Sequence, residues 1–263
     1  MNRFLYECRR RLAILLASVE LHGRSHEQID GRTCFVKTRS RLATLVIPLG
    51  NWYLRAIRAD SVVLAAAEWQ NWERTVAYAV IRPQGIAVPL LPGEPLDRVL
   101  SRADVTRDRK LNCIALALRA LLLLHERRVV WTDGQTRRLS HGDATAENVC
   151  VDELRQTACW FDFDMRHRPD IPEIHRHADD LRALIFSSAV HLAADQYDQL
   201  AQVLITEVRS PDLRAEFRSS LAGIRLQPNT LHLAQAPLTW DQHLELCNQL
   251  QGKRKEEQTF CGH

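Results

Sequence analysis

The chain has 263 residues, 46% hydrophobic and 25% charged, enough for one two-lobed domain or two small ones with a packed core. Thirty-five basic residues against 32 acidic leave a net charge of +3, too mild an excess for a nucleic-acid binder, which would show a concentrated basic stripe. Seven scattered cysteines (Cys8, Cys34, Cys113, Cys150, Cys159, Cys247 and Cys261) with no C-x-x-C pair argue against a disulfide framework or a zinc site, and for reduced thiols in a cytoplasmic protein.

In chain order, residues 4–20 read as a helix with a basic face. Its apolar run Leu12–Val19 is short and closed by Glu20, with no cleavage site after it, so a signal peptide is not expected. Gly31–Thr38 reads as a turn and a short strand, Leu42–Leu49 as a second β-prone stretch stopped by Pro48 and Gly50, and Trp52–Ile57 as a third. Asp60-Ser61 reads as the cap of a helix reaching about Val80, ended by Pro83 and Gly85. Ile86–Leu91 is an apolar strand, and a hinge-like Pro-Gly-Glu-Pro leads into a short helix over Leu96–Ser101.

Leu111–Arg128 is the most apolar helix, broad enough in its apolar surface to be central, and below the ~20 residues of a membrane span. Val149–Val151 and Cys159–Phe163 flank a polar turn, as in a small hairpin. Helices are expected over Ala178–Ala194, Tyr197–Val208, Leu213–Leu221 and Trp240–Leu250, and a solvated tail from Gly252. Strands and one helix come first and helices follow, which predicts an α+β protein with an N-terminal part over 1–93, a helical part over 94–251 and a flexible end over 252–263.

The chemistry-bearing stretch is Ser140-His141-Gly142-Asp143-Ala144-Thr145-Ala146-Glu147-Asn148, followed 14 residues after Asn148 by Asp162 in Trp160-Phe161-Asp162-Phe163-Asp164. Phosphoryl transfer needs a hard cation held by oxygen ligands, and a carboxylate that orients the attacking hydroxyl and takes its proton. Asp143 and Asn148 lie five apart on one loop and can flank one phosphate chain, and the hairpin after Asn148 brings Asp162 back to the same place. Singly, the three read as a turn residue, a cap and a strand-end charge. Their order and spacing point to a shared site.

H-G-D-x-x-x-x-N followed by apolar-D-F resembles the catalytic and metal-binding loops of the protein-kinase-like superfamily. The glycine after histidine is similar to the aminoglycoside-phosphotransferase-like and lipopolysaccharide-kinase-like branches. The resemblance covers roughly residues 31–190. It implies a bilobal fold with a small β-rich N-lobe and a mainly helical C-lobe. It makes Asp143 the catalytic base and Asn148 and Asp162 the ligands of Mg²⁺ bound with ATP, with His141 bracing the loop beneath Asp162. It asks for a strand lysine on the phosphates, met by Lys37 in Cys34-Phe35-Val36-Lys37, with Arg55 the alternative. It also asks for a helix glutamate holding that lysine. Glu73, twelve positions ahead of Gly85-Ile86-Ala87-Val88-Pro89, fits best, with Glu68 its rival. In His177-Ala178-Asp179-Asp180 it gives Asp180 the role of bonding the catalytic-loop backbone, with Asp179 as rival. That pair also suits the cap and first turn of a helix.

There are departures. No clear glycine-rich loop precedes Lys37, although Gly23 and Gly31 bracket a candidate degenerate hairpin. Asp164 stands where many relatives have glycine, as a second metal-binding carboxylate or a solvated loop acid. Thr145 and Gly142 replace a lysine and an arginine of eukaryotic protein kinases, and Met165–Glu173 is too short for a long activation loop. The expectation is therefore a kinase of a sugar, lipopolysaccharide-type or other small-molecule hydroxyl. A pseudokinase or scaffold binding a protein partner comes second and a Ser/Thr protein kinase third. No nucleic-acid partner and no transmembrane segment are expected, and basic Arg3–Arg11 is a candidate contact with the inner face of the membrane.

Overall fold

Asp30 and Gly31 are the two residues between the register partners Ile29 and Arg32, and both have positive φ (50° and 74°). Two left-handed residues in a two-residue loop match the right-handed twist of the flanking strands, so the chain reverses into an antiparallel hairpin. Its strands are β1 (His22–Ile29) and β2 (Arg32–Arg39). The computed structural model describes residues 3–4, 6–8, 11, 22–56, 60–77, 79–83, 85–131, 133–222 and 236–252. Most of the helix expected over 4–20, with much of the basic Arg3–Arg11 contact, and nearly all of the expected tail lie outside these residues.

After β2 the chain turns helical, against expectation. The two β-prone stretches, Leu42–Leu49 and Trp52–Ile57, form one helix, α1 (Arg41–Ala56), with Pro48 inside it. Val46 and Ile47 suggested a strand, but Ala43, Ile47 and Leu54 bury one helical face. The helix is pinned by Asn51, whose amide donates to the Val63 carbonyl (2.7 Å) and accepts from the Val63 N–H (2.9 Å).

Asp60-Ser61 does not cap a helix. Ser61–Val63 is strand β3, and helix α2 starts only at Ala66 and runs to Ala77. Strand β3 has a partner the local sequence does not reveal, Met165–His167, in antiparallel register. Leu64 N–H to the Asp164 carbonyl (2.9 Å) and Arg168 N–H to the Asp60 carbonyl (2.8 Å) extend the pairing at both ends.

Strands β4 (Val80–Arg82) and β5 (Gly85–Pro89) complete a four-stranded antiparallel sheet in the order β1-β2-β5-β4. Helix α2 buries Trp69, Trp72 and Val76, sets Trp69 against His22 and Arg39 of the sheet, and is tied to it by Gln70, which donates to the Arg82 and Gly85 carbonyls (both 2.9 Å). The hinge-like Pro-Gly-Glu-Pro segment is itself paired: β6 (Glu94–Pro95) lies on Val151 and Cys150 of a later strand. Gly93 (φ +92°) makes this possible, since a Cβ there would stand 2.2 Å from the Val151 carbonyl oxygen.

Beyond it come α3 (Leu96–Ser101) and α4 (Arg107–Glu126), the latter capped by Thr106. A small hairpin follows, β7 (Arg128–Val130) and β8 (Thr136–Arg138), turning at Gly134. Then come β9 (Val149–Asp152), β10 (Thr157–Trp160) and β11 (Met165–His167). Helices α5 (Glu173–Ala189), α6 (Tyr197–Glu207), α7 (Pro211–Ala222) and α8 (Trp240–Leu250) close the order. The architecture is α+β, with small antiparallel sheets as far as β11 and, among the described residues, helices after it. Cys113, Ile114, Ala117, Leu118 and Leu121 of α4 are fully buried members of one core cluster that reaches from Leu64 to Leu250. The six described cysteines are free, and no helix among the described residues is long and apolar enough to cross a membrane.

Candidate active site

The chain from Ser140 to Asn148 has little regular structure, so its shape comes from side-chain clamps. Asp180, fully buried on α5, accepts the backbone N–H of His141 (2.7 Å) and of Gly142 (2.9 Å). Its second neighbour is the His125 ring (2.9 Å). Burial works against this carboxylate, but His167 and His125 outweigh it and hold Asp180 well below the usual carboxylate range. The rival, Asp179, is engaged elsewhere, with the His167 ring (3.1 Å) and Arg182. His167 in turn meets the Ser140 hydroxyl (2.9 Å). His125 and His167 carry part of this site and were not singled out in the sequence; 55 and 13 positions from Asp180, they left no local signal.

His141 is fully buried, and burial lowers its pKa, so the ring is neutral. Nε2 lies 2.9 Å from the Phe161 carbonyl and Nδ1 accepts the Asp143 N–H at 3.3 Å. That assigns the Nε2–H tautomer. One ring thus ties the loop carrying Asp143 to the residue preceding Asp162. Thr145 leads into a 3₁₀ turn over Ala146–Asn148, and Asn148 directs its amide nitrogen to both the Asp143 carbonyl (2.9 Å) and the Asp143 carboxylate (3.0 Å). The amide oxygen of Asn148 is left without a hydrogen bond among the described residues.

Asp162 has φ +66°. The other two described non-glycine residues with positive φ, Asp30 and Gln156, sit in hairpin turns, whereas Asp162 sits between β10 and β11. A left-handed backbone costs an ordinary residue energy and persists only where its surroundings enforce it. Enforcement comes from Glu73 and Lys37. Glu73 is 1% exposed and accepts the Phe163 N–H (2.9 Å). Lys37, 4% exposed, donates to Asp162 and to Asp164, the latter at 3.0 Å.

These contacts correct one expectation. Lys37 is held by Asp162 and Asp164, not by Glu73, which instead grips the backbone next to Asp162. The cause is charge: two carboxylates on one ammonium leave no need for a third, and burial foremost, with Asp162 nearby, pushes Glu73 up to about 8. Of the rivals, Glu68 binds Arg166, and Arg55 is exposed in the last turn of α1.

Electrostatically the place is a crowd of acids around one lysine. Burial disfavours the Lys37 ammonium, but Asp162 and Asp164 overcome it and hold it above the ordinary lysine range. Burial, then Asp164, raise Asp162 against the pull of Lys37. Burial also acts on Asp164, yet Lys37 and His22 outweigh it and keep that carboxyl low. Glu147 is raised by desolvation, then by Asp143 and Asp97. Asp97 and Glu147 thus belong to the same negative region, though neither stood out in the sequence. On the sheet side Trp69 backs the lysine, with Lys37 Nζ 5.8 Å and the Arg39 guanidinium 4.6 Å from its ring centre.

A cation fits this donor set on two observations: an excess of carboxylates over Lys37, and the Asn148 oxygen left over by the bonds to Asp143. Among the described residues no group of three His, Cys, Asp or Glu is already gathered for a metal. Mg²⁺ itself takes one or two protein oxygens and completes its shell with phosphates and water. Compared with protein-family models and with curated proteins, the chain matches none.

Proposed function

We propose that the chain is an ATP-dependent phosphotransferase of protein-kinase-like bilobal build, acting on a hydroxyl of a sugar, lipopolysaccharide-type or other small-molecule acceptor. The observation that carries this reading is the junction of Lys37 with Asp162, 125 positions apart, beside the bonded pair Asp143–Asn148. A phosphate-binding cation and an oxygen-donor set meeting next to a carboxylate base are the parts phosphoryl transfer uses. The sheet of β1, β2, β5 and β4 with α2 serves as the N-lobe, and the helices from α4 onward as the C-lobe.

In this reading Asp143 orients the acceptor hydroxyl and takes its proton as the acceptor oxygen bonds to the γ-phosphorus and the bond to the departing ADP breaks. Asp162 and the Asn148 oxygen would hold Mg²⁺, which supplies charge neutralisation on the phosphates when bound. Lys37 exchanges its carboxylate partners for phosphate oxygens. Asp180 and His141 keep the loop in place and touch neither reactant. Thermal unfolding with ATP and Mg²⁺ tests the binding, because a ligand of the native state raises its midpoint. Wild type should shift and Asp162→Asn should lose the Mg²⁺-dependent part. Asp143→Ala should keep the shift while turnover drops by about 10²-fold or more. Undiminished turnover in that variant would remove Asp143 from the mechanism.

A second reading, a scaffold that binds a protein partner, is favoured by one contact: Asp164 occupies Lys37 together with Asp162. No midpoint shift at millimolar nucleotide would favour it.

A further inference from the structure

Helix α1 carries two apolar faces. Ala43, Ile47 and Leu54 face the protein. Leu42, Leu45, Leu49 and Trp52 recur at helical spacing on roughly the opposite side and are 50%, 70%, 68% and 71% exposed. Single exposed hydrophobic residues are ordinary. A contiguous stripe of four along one helix marks a binding surface.

Charge identifies what the stripe meets. From Gly31 to Ala59 the sequence holds no Asp or Glu but has Arg32, Lys37, Arg39, Arg41, Arg55 and Arg58. Arg41 and Arg55, at the two ends of α1, are exposed, and Tyr53 adjoins Trp52. An apolar stripe with an aromatic near one end, arginines at both ends and no acids is the composition of a helix lying in a membrane interface. A second copy fits less well. In a two-fold pair of antiparallel α1 helices, Arg41 of each would approach Arg55 of the other, with no acid on either helix to compensate.

We infer that α1 docks on the surface of an anionic phospholipid bilayer, with Leu42, Leu45, Leu49 and Trp52 in the acyl boundary and Arg41 and Arg55 on lipid phosphates. This stands apart from the phosphotransfer reading, since none of these residues belongs to the candidate active site. The test is co-sedimentation of the full chain with vesicles of phosphatidylcholine alone and with about one third phosphatidylglycerol. Wild type should bind the anionic vesicles and bind the neutral ones much more weakly. Leu45→Glu/Leu49→Glu should lower partitioning by about a hundredfold, from the apolar burial lost. Arg41→Gln/Arg55→Gln should lower it by roughly tenfold or more. Both are surface variants, and an unchanged thermal midpoint would show that the fold is kept. Absence of wild-type binding, or equal binding by Leu45→Glu/Leu49→Glu, overturns the inference. So does a wild-type dimer in solution that this variant makes monomeric without any vesicle binding, which would give the stripe to a second copy.

Discussion

Asp180 and Glu73 are both buried acids, and the structure treats them in opposite ways. Asp180 receives two backbone N–H groups and a histidine, so it stays ionised in the interior. Removing it strands those donors. Asp180→Ala should cost about 3–5 kcal/mol in urea unfolding at neutral pH. Glu73 receives a single N–H, which favours its charged form, but burial first and then Asp162 outweigh it and push the carboxyl from 4.5 up to about 8. The folded protein then holds a proton that the unfolded chain has released. Stability therefore falls as pH rises from 4.5 to about 8 and levels off above. Glu73→Gln keeps an oxygen for the Phe163 N–H and removes the titration. Its urea midpoint should gain on that of wild type between about pH 5 and about pH 9, where the slope of this group is spent. A constant difference would mean that Glu73 is ionised throughout.

At the scale of elements, the site is built where three short segments cross. Strand β11 pairs with β3, the 140–148 loop lies against β11, and α5 clamps the loop from the far side. Gly142 is the tightest point. Its φ is +84°, and a Cβ there would stand 2.9 Å from the Arg166 Cα and 3.1 Å from the nitrogen and carbonyl carbon of that residue. Gly142→Ala should lower stability by about 1–3 kcal/mol, read as a drop in thermal midpoint. If the phosphotransfer reading holds, turnover should fall too, because the same loop positions Asp143. In the sequence this glycine reads as a replacement for arginine, while its packing role depends on Arg166, 24 positions away. The segment 41–63 shows the same limit more sharply. Val46-Ile47 and Val62-Val63 have equal β character, yet the first lies in α1 and the second in β3. Strand β11 supplies a ladder for Val62 and Val63, and Val46-Ile47 instead contributes Ile47 to a buried helical face.

Across the whole molecule, legibility followed distance along the chain. The helix around Leu111–Arg128, the hairpin Val149–Trp160 and the helix Trp240–Leu250 are legible because periodicity and turn residues are local properties, and each is found within a few residues of its expected bounds. The α+β order of elements and the candidates Asp143, Asn148, Asp162 and Lys37 are legible for the same reason: residue type and spacing are written in short stretches. Which acid holds Lys37 is not local. Glu73, Asp162 and Asp164 all come near the lysine, and the choice among them rests on burial and mutual repulsion, which exist only once the chain has folded. The histidines that surround Asp180, the left-handed Asp162 and the outward apolar face of α1 likewise arise from contacts between remote segments. Hydrophobic rhythm and turn chemistry act over a few residues, whereas desolvation and charge pairing act through space between groups that the sequence keeps far apart.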